Sequence, residues 1–234
     1  MRLLAIGDPH LSGHDPKPMS VFGGNWSGHP QAFFDRWRAT VLPTDTVIVA
    51  GDISWAVRLP EAMVDLEALA GLPGEKVLLR GNHDYWWPSI GRLRAALPAG
   101  MRAIQNDSLL VGRTAVLGTR GWVVPGAEEF SADDARLFER EVERLRLSIA
   151  TLERLDGQYD RTVLALHYPP VNPRHEANGL TDLVERLQPA AVVYGHVHNT
   201  PVTRMPSDWK GTPLLYVAAD AVRFEPQVVL ADAG

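Results

Sequence analysis

AVVYGHVH, residues 191–198, is a short apolar and aromatic run, then a glycine, then two histidines one residue apart. A run of this kind, rich in Val and halted by glycine, predicts a strand buried on both faces. The histidines fall at its carboxyl end. The same arrangement recurs along the chain: LLAIG (3–7) runs into Asp8, Pro9 and His10, and TVIVAG (46–51) runs into Asp52. KVLLRG (76–81) runs into Asn82, His83 and Asp84, and TVLALH (162–167) ends on His167. Helical patterns separate these runs, at 31–40, 60–70, 88–97 and 131–155. The last opens on Ser131 and Asp134 in capping-box spacing and carries Leu137, Phe138, Val142, Leu145, Ile149 and Leu152 along one face. Alternating strands and helices predict an α/β fold with mainly parallel strands and right-handed crossovers. Between Ala103 and Trp122 the strands crowd together as AIQN, SLLVG and TAVLGTRG, which predicts hairpins and a sheet of mixed direction. PLLYVA (213–218) and PQVVLA (226–231) add two closing strands.

The chain has 234 residues, 45% hydrophobic and 22% charged, enough for one core and far from the composition of disorder. A single domain over 1–234 is expected. Its irregular segment, 11–30, is dense in Gly, Pro and Ser and is expected to cap the site. The formal net charge of −5 gives no general attraction to nucleic acid or anionic membrane. No apolar run approaches the length of a membrane span, and the expected location is the cytoplasm. There is no cysteine, so any metal must be held by oxygen and imidazole.

In α/β sheets, ligands bind where strand ends meet at one edge. A single Asp or His after a strand is usually a turn former or a helix cap. Five strand ends bearing Asp8, His10, Asp52, Asn82, His167, His196 and His198 are another matter. Seven candidate ligands exceed what one catalytic ion takes while keeping a position open for water. Their number suggests two divalent ions sharing a carboxylate and a bridging hydroxide, an arrangement suited to phosphoryl transfer. Manganese leads the expected ions, followed by iron, zinc or nickel.

Asp-Pro-His (8–10), Gly-Asp (51–52), Gly-Asn-His-Asp (81–84), His167 and Gly-His-Val-His (195–198), in that order, resemble the calcineurin-like metallophosphoesterases. The resemblance implies two mixed β-sheets packed as a sandwich and flanked by helices. It further implies that Asp8, His10 and His198 hold one ion, that Asn82, His167 and His196 hold the other, and that Asp52 bridges them. By the same likeness His83 is the general acid at the leaving group, with Asp84 orienting its imidazole. The phosphoprotein phosphatases of the superfamily follow the second motif with Asp and Arg and end the third in Asn-His-Glu. GDISWA and GNHDYWW are instead similar to a bacterial group of predicted phosphohydrolases.

The leading expectation is a phosphohydrolase acting on a small phosphorylated molecule. A phosphodiesterase or nuclease for cyclic or short nucleotides is the second reading, and a binding scaffold without turnover is the third. Complete ligand positions speak against the scaffold, and no membrane or nucleic-acid partner is expected beyond a nucleotide. Trp55, Trp86 and Trp87 lie just beyond the motifs and Trp26 lies in the irregular segment, either as packing or as a surface for a base or an aryl leaving group. Arg58 and Arg120 are candidates to grip phosphate.

Overall fold

The computed structural model describes residues 1–234. Eleven strands form two sheets. The first contains β1 (Leu3–Ile6), β2 (Thr46–Ala50), β3 (Glu75–Leu79), β4 (Met101–Ile104) and β11 (Gln227–Leu230) in the order β11-β1-β2-β3-β4. Only β11 runs antiparallel there, against β1. The second contains β5 (Asp107–Val111), β6 (Thr114–Thr119), β7 (Arg161–Leu166), β8 (Ala191–Tyr194), β9 (Asp208–Trp209) and β10 (Thr212–Tyr216) in the order β5-β6-β7-β8-β10-β9. Its four central strands are parallel and its two edge strands antiparallel. The two-sheet α/β sandwich implied by the family resemblance is therefore the fold, with both sheets mixed.

Alternation along the strands sorts side chains into layers. Leu3 and Ala5 point between the sheets, where they join Ile48, Ala50, Val77 and Leu79 against Val116, Val163, Ala165 and Val193. Leu4 and Ile6 point outward to Phe33 and Trp37 of α1 (Gln31–Thr40), Leu66 and Leu69 of α2 (Leu59–Ala70) and Leu93 of α3 (Ile90–Ala96). The second sheet turns Leu117, Leu164, Leu166, Val192 and Tyr194 outward to Phe138, Val142 and Leu145 of α4 (Ala132–Ala150). Leu180, Leu183 and Val184 of α5 (Gly179–Leu187) complete that layer. Both faces of each central sheet are thus covered, which is why the strands read as continuous apolar runs rather than alternating ones.

The structure differs from the sequence reading in four places. The 131–155 helix ends at Ala150 and continues as a 3-10 turn over Thr151–Leu155. Its buried face includes Glu141 and Ser148, whose hydroxyl accepts from Gly118 N–H at 3.1 Å. Helix α5 was not expected, although Leu180, Leu183, Val184 and Leu187 follow helical spacing after the Asn178 cap. The strands between 101 and 119 form one hairpin, β5–β6, while β4 belongs to the first sheet. The closing strands likewise separate, β10 into the second sheet and β11 into the first. No helix is long and apolar enough to cross a membrane.

Candidate metal centre at the joined strand ends

The two sheets are stitched together at the edge where the motifs lie. Gly7 N–H donates to Val217 C=O at 2.7 Å, and Ala219 N–H donates to Gly7 C=O at 3.0 Å. This link ties the end of β1 to the end of β10. Side chains that follow β1, β2 and β3 of the first sheet, and β7 and β8 of the second, consequently face one crevice. Asp8, His10, Asp52 and Asn82 come from the first, and His167, His196 and His198 from the second.

Two groups of donor atoms result. Asp8, His10 and His198 form one, and Asp52, His167 and His196 the other, with the atoms of each within 4.8 Å of one another. His10 Nε2 and His198 Nε2 stand 3.2 Å apart, and His196 Nδ1 and His167 Nε2 stand 3.3 Å apart. Asn82 Oδ1 lies 2.7 Å from His167 Nε2, which places it beside the second group. Asp52 Oδ2 lies 3.7 Å from His10 Nε2 and 3.4 Å from His167 Nε2, so one oxygen faces both groups. Two nitrogens bound about 2.1 Å from one tetrahedral ion would be separated by about 3.4 Å. The facing imidazole pairs have that spacing.

Electrostatics fit a cation as well. Burial by itself would lower the pKa of His167, yet Asp52 and Asp8 beside it raise it to about 9. Burial also raises Asp8, to about 7, against the pull of His167 and His198. Burial and the neighbouring His167 push His196 down to about 3. Asp52 keeps its charge because His167 and His10 outweigh its burial and hold it well below the usual carboxylate range. A field that holds a proton on a fully buried imidazole also favours a divalent cation among the same atoms.

The backbone is bent to achieve this. Asp8, His10, Asp52 and His196 all adopt positive φ, between 44° and 73°, a region costly for residues with a Cβ and typical of functional sites. Two glycines make room for the carboxylates. A Cβ on Gly195 would stand 2.1 Å from Asp8 Oδ2, and one on Gly81 would stand 2.1 Å from Asp52 Oδ1. The need there is close approach, since neither glycine has a positive φ.

Asp84 requires a correction. Its carboxylate does not pair with His83. Oδ1 accepts from Ile53 N–H at 2.8 Å, Ser54 N–H at 3.3 Å and Trp86 Nε1–H at 2.9 Å, while Oδ2 accepts from Gly81 N–H at 2.8 Å. Asp84 is a fully buried clasp between the loop after β2 and the loop after β3. Removing it strands four donors, so Asp84→Ala should lower the unfolding free energy by about 3 kcal/mol or more in urea titration. Asp84→Asn should fall between, because its NH₂ must face one of the same N–H donors.

One participant was missed in the sequence. Asp220 Oδ1 lies 2.9 Å from His198 Nδ1, and Oδ2 accepts from Asn199 N–H at 2.8 Å. This fixes the ring so that Nε2 faces the first group. The signal was present: LLYVAAD is another apolar run ending in an aspartate. His167 is oriented in the same way by Ala50 C=O, 2.9 Å from Nδ1.

The aromatic residues divide. Trp26, Trp86 and Trp87 are buried packing residues. Trp55 stacks on His10, with centroids 4.8 Å apart, and lies equally close to His83. Arg58 sits at the start of α2, where its N–H donates to Glu61 Oε2 at 3.0 Å. Arg120 lies over the Trp122 ring and pairs with buried Glu141 at 3.4 Å.

A family model described as calcineurin-like phosphoesterase matches residues 1–200, and so contains every motif of the crevice. The chain belongs to this family. As a calcineurin-like phosphoesterase it is a metal-dependent hydrolase acting on phosphate ester bonds. No curated protein matches it. Among solved structures it is similar to phosphopantetheinyl hydrolase from Mycobacterium tuberculosis at 18% identity and TM-score 0.54, covering 99% of this chain and 96% of that one. A protein from Thermus thermophilus is similar at 14% identity and TM-score 0.55, covering 94% and 90%. A protein of unknown function from Aquifex aeolicus is similar at 14% and 0.50, covering 97% and 95%. At these identities the likenesses concern the phosphoesterase fold, and they extend over nearly the whole length of each chain.

Proposed function

We propose that this phosphoesterase hydrolyses the phosphate ester of a small molecule with two divalent ions, manganese foremost. Asp8, His10 and His198 would hold one ion and Asn82, His167 and His196 the other, with Asp52 between them. The observation that carries this reading is Asp52 Oδ2, which faces a histidine of each group at 3.7 and 3.4 Å. When bound, such a pair activates water for attack on phosphorus and offsets charge on the phosphate oxygens. The protein's own part is to fix the donors: Ala50 C=O and Asp220 hold His167 and His198, and Gly81 and Gly195 admit the carboxylates. His83 is placed at the rim by its backbone N–H, which donates to Asp52 Oδ1 at 2.8 Å. Its ring, beside Trp55 and Tyr85, would protonate the departing oxygen. The segment 11–30 covers the first group, burying Met19 and Trp26, and this supports its reading as a cap within one domain over 1–234.

The Mycobacterium tuberculosis neighbour is itself a hydrolase, which supports a hydrolytic use of this fold. At 18% identity its substrate is not transferred to this chain. The test is to reconstitute purified protein with manganese, iron, zinc or nickel and assay p-nitrophenyl phosphate and bis-p-nitrophenyl phosphate. Metal-dependent release of p-nitrophenol and about two ions per chain are expected. No turnover with any of the four ions would overturn the proposal.

A further inference from the structure

A cavity of about 420 Å³ opens directly from the second ligand group, since His196 belongs to that group and also lines the cavity. Its walls are Val124, Tyr168, Pro169, Val171, Met205 and Pro206. Val124, Tyr168 and Val171 are themselves buried, so the walls are anchored in the second sheet's outer core. The volume is that of a pocket for an organic ligand and far exceeds a bare phosphate. Charges at its margin balance: Glu128 and Glu129 against Arg174 and Arg204, with Arg174 already paired to Glu176 at 3.0 Å. No cluster of cations is left to hold a second phosphate. Nor does the pocket offer an open aromatic platform, because the Tyr168 ring is packed on His196 at 3.8 Å and Trp122 at 5.1 Å between centroids. A nucleobase therefore suits it poorly, and an uncharged, flexible, mostly apolar chain suits it well.

The position of the groove is as informative as its lining. His83 and Trp55 lie at the first group, where Trp55 stacks on His10, and a separate polar cavity lined by Trp55, Ser12, His14 and Lys17 opens there. The departing alcohol belongs on that side, beside its proton donor. The apolar groove lies at the other group. A substituent bound there stays on phosphorus when the ester is cut.

We infer that the substrate is a phosphodiester whose retained substituent, an uncharged and mostly apolar chain, occupies the groove between Tyr168 and Met205. This rests on the phosphohydrolase reading and on His83 marking the leaving-group side. In the reaction, water adds its oxygen to phosphorus, the ester bond on the His83 side breaks, and the leaving oxygen takes a proton. The product is the monoester of the retained chain.

The test is a series of alkyl p-nitrophenyl phosphodiesters, methyl to hexyl, assayed on the full chain loaded with manganese. kcat/KM should rise about threefold per added methylene and exceed that for p-nitrophenyl phosphate at the long end. Met205→Asp, at a partly exposed position, should remove the dependence on chain length. Values independent of length, with the monoester preferred, would overturn the groove assignment while leaving the phosphohydrolase reading intact. Persistence of the slope in Met205→Asp would also overturn it. Absence of turnover on every ester with manganese, iron, zinc and nickel would overturn both.

Discussion

Asp52→Asn should lower kcat/KM on the order of 10³-fold and reduce bound metal to less than one ion per chain. Each carboxylate oxygen is committed. Oδ1 accepts from His83 N–H at 2.8 Å, and Oδ2 faces His10 and His167. An amide keeps the shape but removes the charge and turns an NH₂ either toward the His83 N–H or toward the two imidazoles. Both orientations oppose a donor or a cation. Elemental analysis and steady-state kinetics on one preparation give the answer. Full metal content with a loss of less than tenfold would remove Asp52 from its place between the groups.

His83→Ala should behave differently, losing about 10²- to 10³-fold in kcat on esters of poor leaving groups while retaining both ions. The backbone N–H that binds Asp52 survives the substitution, so the clusters keep their support. Departure of p-nitrophenolate needs little protonation, whereas departure of an alkoxide needs a full proton. The loss should therefore be below tenfold for p-nitrophenyl esters and large for alkyl or phenyl esters. An equal loss across leaving groups would exclude His83 as the acid. Asp84 does not touch the ring, so Asp84→Asn should alter stability without changing this leaving-group dependence.

Much of this was legible because strand and ligand coincide in the sequence. A buried strand must be an apolar run, and the polar residue that ends it stands out against that run. Asp8, Asp52, Asn82, His167, His196 and His198 could all be read in this way. Asp220 had the same grammar, yet a lone aspartate after VAA carries no neighbouring histidine to mark it. What it orients, His198, is distant in the chain and adjacent only once β8 and β10 pair. Asp84 shows the converse. Next to His83 in sequence, it points away from it, because a carboxylate buried at that turn is claimed by four nearer N–H donors. Glu141 was invisible for a related reason: helical spacing places it inward, and only Thr119, Arg120 and Arg144 explain why a carboxylate is tolerated there. The positive φ values at four candidate ligands could not be read from the sequence: Asp and His reach that region more readily than most residues with a Cβ, but which of them do so is decided by tertiary contacts.

The seam between the sheets also dictates when the centre can exist. Asp8 accepts from His196 N–H across 188 residues, and β1 is flanked on its outer side by β11, at residues 227–230. On the ribosome, the ligands that follow β1 and β2 are made first and must wait for β8 before the last of their partners emerge. A nascent chain halted before residue 191 would hold Asp8, His10, Asp52, Asn82 and His167 but neither His196 nor His198, so each group would lack a histidine. Assembly of the centre therefore follows synthesis of β8, and a product truncated before it should emerge without the centre.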